Sequence, residues 1–138
     1  MALYELRTYT LHVGQMAEAV KLYQEMGFLA LQKVGQDKKL VGYFQSDTGT
    51  INQLVHLWKL DDDADRRAHW AAVFANKDFV EGFASKFRPL LMTQEVKLLQ
   101  AAPWGPHPQG AARHDRRGPE LFDDLVTGSG ASSRGRPN

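Results

Sequence analysis

The chain has no cysteine. Disulfides, thiolate nucleophiles and cysteine-based zinc sites are therefore excluded. It has no excess charge of either sign, with 17 lysines and arginines against 16 aspartates and glutamates. Such a balance gives no long-range attraction to nucleic acid or to an anionic membrane surface. No apolar run approaches the roughly 20 residues of a membrane-spanning helix. Strand-like sequence begins at Leu3 and leaves no targeting segment in view, so a cytoplasmic protein is the expectation. There is no phosphate-cradling glycine loop and no Gly-x-Ser-x-Gly elbow. Proline is scarce before residue 103, and residues 103–138 hold five of the six prolines and half of the twelve glycines.

The chain of 138 residues fits one domain and a tail. Residues 3–11 are rich in Tyr, Thr and Leu and predict a strand. One alternate set, Tyr4, Leu6 and Thr8, suits a surface covered by helices. The other sets Glu5, Arg7 and Tyr9 in a row. Met16, Ala19, Val20, Tyr23 and Met26 recur at helical spacing, and Gly27 is expected to end that helix. Residues 40–45 predict a second strand. The Ser46-Asp47-Thr48-Gly49 stretch predicts a tight hairpin turn. Residues 51–59 predict a third strand, with Asn52, Leu54, His56 and Trp58 on one side. Asp61, Asp62, Asp63 and Asp65 form a cap for the next helix rather than a calcium loop, whose glycine and spacing they lack. Phe79, Phe83 and Phe87 repeat every four residues up to Pro89. Residues 91–99 predict the last strand. From Pro103 the periodic apolar pattern is lost, and residues 103–138 are expected to be a disordered tail.

The order of elements is β-α-β-β-α-β, an α+β fold of ferredoxin-like type. It implies a four-stranded antiparallel sheet with helices on one face. The first and third strands are expected to be parallel neighbours at its centre, which sets Glu5, Arg7 and Tyr9 beside Asn52, His56 and Trp58. Two helices cover only one face of such a sheet. The other is expected to carry Trp58, Leu54, Tyr9 and either Phe44 or Tyr43, an apolar patch large enough to demand a partner. A homodimer through this open sheet face follows.

Tyr4-Glu5-Leu6-Arg7-Thr8-Tyr9, Leu40-Val41-Gly42-Tyr43-Phe44 and Asn52-Gln53-Leu54-Val55-His56-Leu57-Trp58, with Arg66-Arg67 and Gln94-Glu95, resemble the pattern of the NIPSNAP family over residues 2–102. The resemblance implies a ferredoxin-like domain that dimerises into a shared α/β barrel. It also implies kinship with cofactor-free monooxygenases, haem-degrading enzymes and lactone isomerases. The family has no settled reaction to carry over.

The candidate catalytic residues are His56, an acid or base near neutrality, and Arg7, whose fork can hold a carboxylate or enolate oxygen. Glu5, Tyr9, Asn52 and Trp58 are the candidate ligand-binding residues. Tyr9 and Trp58 offer aromatic walls, and Asn52 can orient a carbonyl or cap the hairpin end. Structural roles compete: a histidine satisfied by Glu5, an Arg7 ion pair with Glu5 or Glu95, and aromatic packing in a dimer core. A metal at His56 and Glu5 lacks a nameable third ligand, and no cofactor is expected. The functional expectation is a small-molecule-binding dimer, with proton transfer or oxygenation on an aromatic or enolisable compound. The alternative is a non-catalytic scaffold whose tail recruits a partner.

Overall fold

The computed structural model describes residues 2–110. Most of the expected tail, residues 111–138, lies outside the described residues. Strands β1 (Leu3–Leu11), β2 (Leu40–Gln45), β3 (Gln53–Leu60) and β4 (Leu91–Gln100) form one antiparallel sheet in the order β2-β3-β1-β4. Helix α1 spans 16–33, α2 is Asp63–Ala75, and α3 spans 78–90. This is the ferredoxin-like arrangement. β1 and β3 are central neighbours, but antiparallel ones, contrary to the expectation. The α1 crossover returns β2 in the direction of β1, and the hairpin then reverses β3 into the gap between them.

The faces of the sheet are also the reverse of those expected. Glu5 lies opposite Trp58, Arg7 opposite His56 and Tyr9 opposite Leu54, so these six side chains share a face. That face is the one the helices cover. Leu54 packs with Leu11, Leu22, Phe83 and Phe87, while Trp58 packs with Leu31, Leu40 and Val73. Ring mass decides the matter: burying Trp58, Leu54 and Tyr9 under the helix aromatics removes more apolar surface than burying Leu6 and Thr8 would. The charges drawn in with them are tolerated because they pair.

The open face carries Tyr4, Leu6, Thr8, Val55, Leu57 and Lys59, with Phe44 and Leu99 exposed on the edge strands. Residues 103–110 return across one end of it. The Tyr4 hydroxyl donates to the Pro108 carbonyl at 2.9 Å and Lys59 Nζ to Gln109 Oε1 at 2.7 Å, and Tyr4 is buried.

Helix α1 does not stop at Gly27. It passes through a wide π-turn, Tyr23–Gly27, and continues as Phe28–Lys33. Gly27 marks a close approach instead, because a Cβ there would sit 2.8 Å from the Phe83 ring. α3 opens with a second wide turn, Asp78–Ala84. Both turns carry rings into the core, Tyr23 lying 4.5 Å from Phe83 between ring centres. The aspartate cluster does cap α2: Asp62 accepts from the Asp65 amide at 2.7 Å. The turn after β2 is longer than expected, running from 46 to 52, with Gly49 and Asn52 at positive φ.

Candidate functional site

The centre of the helix-covered face is a polar group set among rings. Glu5 is fully buried. Its carboxylate receives Arg7 Nε at 2.8 Å and Arg66 Nη1, from the first turns of α2, at 3.4 Å. Of the two alternative ion-pair partners considered for Arg7, Glu5 is the one it meets. Glu95 lies opposite Thr8, on the other face. The Arg7 guanidinium also stacks 4.0 Å above the Trp70 ring, and its Nη1 reaches the Tyr9 hydroxyl at 3.5 Å.

His56 stands beside Arg7 on the neighbouring strand and is 3% exposed. Trp58 Nε1 donates to its Nδ1 at 2.7 Å. Tyr43 stacks on the imidazole at 4.8 Å, and Tyr9 meets it edge-on at 4.9 Å. Burial, aided by the Arg7 charge, pushes His56 down to about 3. The ring is neutral at physiological pH. Burial likewise pushes the Tyr23 and Tyr43 phenols up, keeping them uncharged.

Arg7, Tyr9, Tyr43, His56, Trp58 and Trp70 line an inner cavity of about 50 Å³. It shares Arg7, Tyr9, Tyr23, Phe74 and Phe79 with a wider cleft of about 580 Å³, whose outer wall includes Arg88, Gln94 and Val96. The cleft therefore opens between α3 and edge strand β4. A groove of similar size, about 590 Å³, runs along α1 and α3 past Glu25, Lys33, Lys77 and Asp78. Its charged groups are exposed and mixed in sign, so it offers no convergent buried polarity of the kind that defines a ligand site.

Of the candidate residues, Arg7, Tyr9, His56 and Trp58 converge on the inner cavity. Glu5 lies behind Arg7 and orients it. Asn52 is elsewhere: at φ 62° in the turn before β3, it offers its carbonyl to the Leu11 amide at 2.8 Å and lines neither cavity nor cleft. Arg66, Trp70 and Phe74 were not among the sequence candidates. Their i, i+4, i+8 spacing puts a cation and two rings on one stripe of α2, and that stripe was the available signal.

The comparisons agree with this architecture. Residues 4–106 match the model of the NIPSNAP family. Human protein NipSnap homolog 3A is 28% identical over 102 residues, which is 73% of this chain and 40% of that protein. The chain thus spans well under half the length of this curated relative. The crystal structure of protein Atu4242 from Agrobacterium tumefaciens superposes with a TM-score of 0.69 at 32% identity, covering 75% of this chain and 97% of that one. SnoaB, a cofactor-independent oxygenase from Streptomyces nogalater, shares the fold alone, with a TM-score of 0.51, 18% identity and coverage of 77% and 98%.

Proposed function

The chain belongs to the NIPSNAP family, and from that premise we propose that it binds a small aromatic or enolisable molecule in the cleft between sheet and helices. One observation carries the reading: a partly buried cation, Arg7, and a buried imidazole, His56, converge on a cavity walled by aromatic rings. Ligand sites combine apolar walls with a few aimed polar groups in this way. His56 and Arg7 are the residues that would act on the ligand, with Tyr9 and Trp58 holding it and Glu5 orienting Arg7. The chemistry such a site would serve is of the oxygenase or isomerase kind, on a substrate able to form an enolate or phenolate. That an oxygenase shares the fold supports this at the level of architecture. A thermal-shift screen of aromatic acids and quinols tests the proposal. Compounds that stabilise the wild type should leave an Arg7→Ala, His56→Ala double variant unshifted. Equal protection of both proteins would remove the cleft from consideration.

A second copy seated on the open face completes the proposed assembly. Leu6, Val55 and Leu57 are only half-covered there, and Phe44 is 59% exposed, a patch that favours burial. Light scattering should give twice the chain mass for the wild type and a single chain mass for Leu57→Glu. A monomeric wild type would rule the dimer out. No described helix is long and apolar enough to cross a membrane. A cytoplasmic location completes the reading, to be checked by cell fractionation.

A further inference from the structure

An indole N–H can donate a hydrogen bond but cannot accept one. Trp58 Nε1 is 2.7 Å from His56 Nδ1, so that nitrogen must present its lone pair. A neutral imidazole carries one hydrogen, which is then on Nε2. His56 Nε2 is buried with no hydrogen-bond partner among the described residues, and Trp70 Nε1 is in the same position. Beside them the Arg7 guanidinium has donors only. The Tyr9 hydroxyl accepts from Arg7, which leaves its own hydrogen to give.

Acceptors are correspondingly scarce. Among the described residues, no aspartate or glutamate lines the inner cavity or the cleft that it joins. The one buried carboxylate among the described residues, Glu5, is taken up by Arg7 and Arg66. The only basic nitrogen in the cavity among the described residues, His56 Nδ1, is occupied by Trp58. The inner end of the cleft is therefore rich in donors, carries a cation, and has no free general base among the described residues.

We propose that Arg7 and the Nε2–H of His56 form an oxyanion-binding pair, which selects the ionised form of a phenol- or enol-type ligand. The proposal rests on the reading of the cleft as a ligand pocket and names what that pocket takes. The ligand oxygen occupies the inner cavity of about 50 Å³, enough for one oxygen and the atoms next to it. Its ring lies outward among Tyr9, Tyr23, Phe74 and Phe79 in the wider cleft. The ligand's proton leaves to solvent, because no described side chain at the inner end is placed to take it. His56 serves as a fixed donor whose orientation Trp58 sets.

The test uses the full chain with two probes of one shape, 4-nitrophenol and 4-nitroanisole. Only the first can ionise, and its phenolate has its own visible absorbance. The phenolate should bind at least about tenfold more tightly than the anisole, and the bound dye should ionise at lower pH than the free dye, as a group beside a fixed cation does. In His56→Gln the side-chain amide can accept from Trp58 and still donate, so most of the preference should survive. In His56→Leu the Arg7 charge remains but the second donor is gone, so most of the preference should be lost. A base role predicts instead that Gln and Leu fail alike, and that result would overturn the proposal. Equal binding of the two probes to the wild type would overturn it while leaving the pocket intact, and needs no variant to fold. Binding of neither probe would remove both readings.

Discussion

Glu5→Ala is expected to lower the stability of the fold by about 3–5 kcal/mol. The carboxylate is fully buried and is shared by two arginines whose side chains are 16% and 20% exposed. Removing it leaves two like charges facing each other in a low-dielectric layer with nothing between them. Neither can leave easily. Arg7 is held over Trp70, and Arg66 sits in a helix pinned by its Asp62 cap. The midpoint of thermal unfolding should fall by about 15 °C or more for a domain of this size. Glu5→Gln keeps the shape and one acceptor and should cost about half as much. Urea unfolding of the three proteins measures the difference. A loss below about 1 kcal/mol for the alanine variant would mean that the arginines reach solvent and that Glu5 is not the anchor of the cleft.

Acid should destabilise the protein well before its carboxylates titrate. In the unfolded chain His56 takes up a proton near 6.5, whereas in the folded chain it stays neutral down to about 3. Through that window the unfolded state binds more protons, so stability rises with pH up to about 6.5 and is flat above it as far as this group is concerned. Each pH unit below 6.5 should remove about 1.4 kcal/mol, or about 2 kcal/mol by pH 5. His69, pushed down to about 4 by burial and by the Lys39 charge, acts in the same direction. The paired carboxylates of Asp63 and Asp65, already held low by Arg66, Arg67 and Lys39, contribute only at lower pH. Denaturation curves between pH 7.5 and 5 should show this slope in the wild type and a shallower one in His56→Gln. Parallel curves for the two proteins would refute the burial of a neutral His56.

Much of the fold was legible because local signals and tertiary needs agree. β1 and β2 end where their alternation ends, and α3 stops at the turn containing Pro89. The aspartates before α2 cap it, as their chemistry suggests. The choice of face was not legible. On β1 the two alternate sets, Tyr4-Leu6-Thr8 and Glu5-Arg7-Tyr9, compete, and the charged set looks the worse one to bury. What reverses the balance is Arg66, sixty-one residues on, which completes the pairing of Glu5, together with Trp70, which covers Arg7. The stripe on α2 picks out both residues, but nothing local says which strand residues they meet. Gly27 misled for a related reason. Glycine commonly ends helices, but here it makes room for the Phe83 ring, a contact that exists only once α1 and α3 have packed. The candidate residues on β1 and β3 could be found because period-two alternation and the neighbouring placement of the two strands were legible, whereas the antiparallel register that sets Arg7 opposite His56 was not. Asn52 fell one residue outside the strand, at positive φ, and so left the row.

The state of the His56 ring is the point on which the donor-rich cleft depends, and nitrogen NMR of histidine-labelled full-length protein reads it directly. The expected spectrum has Nε2 protonated, Nδ1 bare and hydrogen-bonded, and no titration of this ring between pH 8 and 5. A ring that titrates near 6.5, or one that carries its proton on Nδ1, would contradict the oxyanion pair and return His56 to the role of an ordinary acid or base.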